Sequence, residues 1–103
     1  MNPEDSKIIT LARAARARNG SAEGAAVRDE TGRTYAATDV SLTALKLSAV
    51  QVAAAMAISS GARSLEAAAL VSEGTPSPDD EAVAAELGVG KLLVAGPDGT
   101  LRG

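Results

Sequence analysis

From Ala44 to Ser60 the chain is apolar on nearly every helical face, with Ala, Leu, Val, Met and Ile interrupted only by Lys46, Ser48, Gln51 and Ser59 before the closing Ser60. A helix of that composition must be covered on most sides, so the rest of the chain has to supply the layers that cover it. Ser41 or Thr43 can cap its start and Gly61 can end it. Lys46 and Gln51 are then polar groups on a mostly buried helix, each needing a hydrogen-bond partner or a place at an opening or subunit contact.

The flanking segments carry the periodicities of such layers. From Ser6 to Asn19, Ile8, Leu11, Ala12 and Ala15 recur at helical spacing and Lys7, Arg13, Arg16 and Arg18 take the other side, which predicts an amphipathic helix closed at Asn19-Gly20. Gly24 to Arg28 and Arg33 to Thr38 flank the polar turn from Asp29 to Gly32 and predict an antiparallel hairpin. Leu65 to Ser72 and Lys91 to Ala95 read as interior strands on either side of a helix from Asp79 to Leu87. Ser77-Pro78-Asp79-Asp80 is a strong helix start, with Ser as cap, Pro in the first helical position and a carboxylate near the helix N-terminus. Strand, helix and strand of these lengths predict a parallel β-α-β unit. Gly96 to Gly99 is a final turn before a short tail, and the expected organisation is a single domain over residues 1–103.

The side-chain inventory is narrow. Among 103 residues there is no Cys, His, Trp or Phe, and Tyr35 is the only aromatic. No disulfide, thiolate nucleophile or imidazole is available, and the side chain that titrates nearest neutral pH is missing. The core must be built from Ala, Val and Leu at close approach, and so small a core favours oligomerisation as a source of further buried area. A net charge of −3 argues against a general nucleic-acid or anionic-membrane binder. The polar, acidic segment from Met1 to Lys7 does not read as a signal peptide, and the longest apolar stretch, Val50 to Ile58, is too short to span a bilayer. A cytoplasmic protein is expected; abundant Ala and Arg suggest a GC-rich bacterial genome.

Three local patterns invite chemistry and have plainer readings. Gly88-Val89-Gly90-Lys91 lacks the Gly at position 85 and the Ser or Thr at position 92 of a phosphate loop, and it precedes a strand, so it reads as a helix-to-strand turn. Asp79, Asp80 and Glu81 point in different directions on a helix and read as a charged first turn rather than a hard-metal cluster. Arg13, Arg16 and Arg18 with Lys7 form a basic cluster, but no aromatic side chain is nearby for base stacking, so a solvated helix face is expected.

The element order, Gly24-Ala25-Ala26-Val27, the Gly32-Arg33-Thr34-Tyr35 strand, Asp39-Val40-Ser41 and the Ala-rich helix from Ser48 to Ala57 together resemble the cytidine deaminase family, from the first helix to Ala95. The resemblance implies an α/β chain with a three-layer α/β/α fold and a mixed sheet, the hairpin joined to the parallel unit. It also implies a dimer or tetramer. In zinc deaminases a His or Cys stands two positions before a Glu at the start of the buried helix, and a Pro-Cys-x-x-Cys turn completes the metal site. Placed on that pattern, Gln51 stands for the Glu, Ala49 for the first ligand, and Ser77 and Asp80 for the two Cys; Asp39-Val40-Ser41 stands for the nucleoside-binding Asn-x-Glu. Zinc needs three protein ligands to sharpen its bound water, and Ala49 offers none while a Ser hydroxyl is a poor substitute for thiolate; Gln51 cannot exchange a proton.

The expectation is therefore a catalytically inactive relative, without cofactor, that acts in assembly or binding as a homo-oligomer. An alternative is an enzyme that still handles a nucleoside or base without zinc, using Asp39, Ser77 and Asp80 in new roles.

Overall fold

The computed structural model describes residues 1–102. The chain starts with α1 (Pro3–Asn19), longer than the amphipathic pattern alone implied, because Asn2 caps it by accepting the Glu4 N–H at 2.8 Å and Pro3 fits its first turn. Gly20 closes it in the left-handed conformation with φ 63°. The hairpin follows as β1 (Glu23–Asp29) and β2 (Thr34–Thr38), paired antiparallel with Ala26 opposite Ala36.

The apolar run differs from expectation at its start. Its helix is α2 (Ala49–Ser59), and the preceding residues form a two-stranded ribbon of β3 (Val40–Ser41) and β4 (Lys46–Leu47). Ser48 is the cap in place of Ser41 or Thr43, and it forms a capping box with Gln51. Lys46 is thus off the helix and exposed. The helix ends at Ser60, just before Gly61.

Next come β5 (Leu65–Ser72), α3 (Pro78–Glu86) and β6 (Leu93–Ala95), with β5 and β6 parallel and Leu70 opposite Val94. The tail after the Gly96–Gly99 turn adds a strand that the sequence reading left out, β7 (Leu101–Arg102), antiparallel to β6. The main sheet is mixed, in the order β2-β1-β5-β6-β7.

Alternation along the central strands divides the core into two layers. Ala25 and Val27 of β1, with Ala68 and Leu70 of β5, pack against α2 and α3. Ala26, Ala67, Ala69 and Val71 face Ile8, Ile9 and Ala12 of α1. The α1 layer lies close: a Cβ added at Gly24 would sit 2.1 Å from the Ala12 carbonyl oxygen, so only glycine lets β1 pass under the helix. The same layer is pinned by Arg28 of β1, which pairs with Asp5 at 3.3 Å and Glu66 at 3.1 Å.

The covering of α2 is one-sided. Ala49, Val50, Ala53, Ala54 and Ala57 are buried, whereas Ala55, Met56, Ile58 and Ser59 are exposed. The expectation of burial on most sides fails within one chain because, among the described residues, no element lies over that outer face. Among the described residues no helix is long and apolar enough to cross a membrane.

Candidate functional site

The polar side chains of interest meet where the N-termini of α2 and α3 come together. Ser77 caps α3: its Oγ accepts the Asp80 N–H at 3.1 Å, and its own N–H donates to Asp80 Oδ2 at 3.1 Å. Ser48 caps α2: its Oγ accepts the Gln51 N–H at 3.1 Å, and its N–H donates to Gln51 Oε1 at 2.9 Å. The two boxes are joined, because the Ser48 hydroxyl donates to Asp80 Oδ1 across 32 positions of sequence. Asp80 is only 1% exposed, and both its oxygens accept hydrogen bonds.

A second carboxylate serves the same helix end. Glu23, at the start of β1, accepts the Ala49 N–H at 3.1 Å through Oε1, and its own N–H donates to Asp39 Oδ1 at 2.9 Å. Both carboxylates are favoured there by the unpaired N–H groups and partial positive charge of a helix N-terminus.

The residues singled out in the sequence therefore divide. Ser77, Asp80 and Gln51 converge at the joint. Asp39 reaches it only through Glu23, and Ser41 is exposed on the ribbon opposite Lys46. Ala49 sends its methyl into the core below α2, and the residue in contact with Asp80 is its neighbour Ser48. Sequence reasoning missed Ser48 and Glu23 as site members. Ser48 had a signal, the Ser-x-x-Gln spacing of a capping box; Glu23 had none, since its contact depends on how β1 lies beside α2.

These residues do not fit zinc. The four side chains at the joint, Ser48, Gln51, Ser77 and Asp80, offer two hydroxyls, one amide and one carboxylate whose oxygens are both engaged, where zinc takes thiolate, imidazole or free carboxylate donors. Among the described residues no group of three or more His, Cys, Asp or Glu side chains is arranged to hold a metal ion.

A cleft lies elsewhere. It encloses about 560 Å³ beside α3 and β6, over Ala84, Val89, Leu92 and Val94, and none of Asp39, Ser41, Ala49, Gln51, Ser77 or Asp80 lines it. The basic cluster of α1 is partly spent on structure, with Arg13 Nε donating to the Pro97 carbonyl at 2.9 Å and Arg16 Nε to that of Ala22 at 3.1 Å. Gly88 to Lys91 forms the turn between α3 and β6.

Two strands on a helix layer, a parallel β-α-β unit and two helix N-termini facing each other define an architecture shared with known proteins. The Cytidine deaminase-like family model matches residues 1–99. Among solved structures, the chain is similar to a cytidine deaminase from Burkholderia pseudomallei, with 26% identity over 93% of this chain and 87% of that one and a TM-score of 0.78. It is also similar to a cytidine deaminase from Mycobacterium tuberculosis, with 26% identity over 93% of this chain and 86% of that one and a TM-score of 0.72. A search of curated proteins found no match. The chain belongs to the cytidine deaminase-like family.

Proposed function

We propose that this protein is a non-catalytic member of its family that works by assembly, through self-association of the outer face of α2. The observation that carries the first half is the joint of α2 and α3, where Ser48, Ser77 and Asp80 are spent on one another. Contact with Asp80 supports reading Ser48, rather than Ala49, as the counterpart of the family's first metal ligand. The position two residues later, where zinc deaminases carry the acid-base Glu, is then Val50, which is 1% exposed and has no proton to transfer. Gln51, read from sequence as the Glu replacement, belongs to the helix cap.

The assembly half rests on α2 itself. No charged residue occurs between Lys46 and Arg63, and Met56 and Ile58 are 41% and 42% exposed. An uncharged apolar helix face left in water marks a contact surface. Lacking charge, it has no means of selecting a charged partner, and a second copy of the same face meets it by two-fold symmetry. The reading with a surviving nucleoside-handling enzyme is less supported, since Asp39, Ser77 and Asp80 each already accept internal hydrogen bonds.

The test has two arms. Purified protein is expected to hold no stoichiometric zinc and to release no ammonia from cytidine; stoichiometric zinc with turnover sinks the proposal. Light scattering is expected to give a dimer or tetramer that Met56→Glu dissociates without loss of helical circular dichroism. A strict monomer across the concentration range refutes assembly.

A further inference from the structure

We infer that Ser48, Ser77 and Asp80 form a metal-independent clasp that does for this fold what a metal would do at the same joint, namely hold the N-termini of α2 and α3 together. The inference deepens the non-catalytic reading and rests on it for the positions compared.

An ordinary capping box is local and ends with its own helix. Here Asp80 serves the box of α3 through Oδ2 and reaches across to Ser48, the cap of α2, through Oδ1. One carboxylate therefore closes two helix ends whose sequences are otherwise unconnected. The charge also suits the place. Two helix N-termini direct partial positive charge at this point, and Asp80 supplies one buried negative charge. A zinc ion with three thiolates, two positive charges against three negative, would supply the same net charge. The clasp thus leaves the two helix ends facing the same net charge as the metal and its ligands would. Burial makes the bond matter: at 1% exposure, an oxygen of Asp80 that lost Ser48 would have no access to water as a replacement partner.

The geometry makes a specific prediction about which positions face one another. In the full-length chain, the triple variant Ser48→Cys, Ser77→Cys, Asp80→Cys is expected to take up about one equivalent of zinc. Its unfolding temperature should then become sensitive to EDTA. The control Ala49→Cys, Ser77→Cys, Asp80→Cys is expected to take up none at that affinity, because position 49 faces the core. The wild-type unfolding temperature should be indifferent to EDTA and to added zinc, and Asp80→Ala should lower it by roughly 10 °C.

Equal zinc uptake by the triple variant and the control, or none by either, overturns the assignment of positions. A change of less than roughly 2 °C for Asp80→Ala overturns the clasp while leaving the non-catalytic reading intact. Zinc held by the wild-type protein removes both. Should a triple variant fail to fold, Asp80→Ala, Ser48→Ala and their combination decide: the clasp requires losses that fall short of additive, and full additivity overturns it.

Discussion

Asp29 and Asp80 are buried alike, at 2% and 1% exposure, and both spend their carboxyl oxygens on hydrogen bonds, yet they organise the chain over different ranges. Asp29 closes the β1–β2 turn. Its Oδ1 accepts the Thr31 N–H at 2.9 Å, the Thr31 hydroxyl at 2.7 Å and the Arg33 N–H at 3.0 Å, and Oδ2 accepts from the Tyr35 hydroxyl at 3.3 Å. Every partner lies within six residues. Asp80 divides its oxygens between its own helix and Ser48 of α2. A carboxylate with local partners fixes a turn that the backbone already favours, whereas one with a distant partner fixes how two elements sit together.

The largest effect separating the two follows from that difference. Asp80→Ala leaves the Ser48 hydroxyl and the Ser77 N–H without acceptors and opens space between two packed helices. It is expected to cost about 2–4 kcal/mol in chemical denaturation. The equivalent Asp29→Ala should cost clearly less, because the freed turn groups lie next to exposed Glu30, Thr31 and Gly32 and can recover water. Equal losses for the two would break the contrast.

Ser48→Ala sharpens it from the other side. The variant removes the donor to Asp80 and the acceptor for the Gln51 N–H together, and a cap loss of about 1–2 kcal/mol is expected. In combination with Asp80→Ala the losses should fall short of additive, since both act on one bond. Full additivity, read from the same denaturation curves, would show that the two residues act independently. Gln51→Ala, which removes only the reciprocal half of the α2 box, should cost under about 1 kcal/mol.

The same contrast of range explains what was legible in the sequence. Ser77-Pro78-Asp79-Asp80 could be read as a helix start because cap, Pro and carboxylate are neighbours, and the Asp29–Gly32 turn for the same reason. The start of α2 lies later than its apolar pattern suggests because Ala44 to Leu47 continue that pattern, while the decisive signal is the single pair Ser48 and Gln51, three residues apart. The ribbon β3–β4 and the strand β7 are two residues each, too short for alternation to register. The link from Ser48 to Asp80 joins residues 32 apart and has no local pattern at all. Ser48, the extended cap residue, turns its hydroxyl to the joint while Ala49, the first residue of the helix, turns its methyl into the core, a change of direction between neighbours that no local pattern records.

The smallest effect is confined to acid and belongs to Asp29. Desolvation pushes its carboxyl up, but the Thr31 hydroxyl, the Thr31 and Arg33 N–H groups and the Tyr35 hydroxyl together outweigh it, so the group sits below its ordinary value. A carboxyl lowered in the folded state binds its proton more readily when unfolded. The stability it contributes is therefore present above the ordinary aspartate value of about 3.9 and disappears as pH falls through the lowered one. Asp98 behaves in the same sense at the Gly96–Gly99 turn, held down by the Thr100 N–H and hydroxyl and by Arg13, so it shares the acid limb. In thermal unfolding followed from pH 6 to pH 2, Asp29→Asn should lose less stability on acidification than the wild type, and Asp29→Asn with Asp98→Asn less again. An unchanged acid limb in the double variant would mean that neither turn carboxylate is held below its ordinary range, and that the local hydrogen bonds around Asp29 shape the hairpin without favouring its charge.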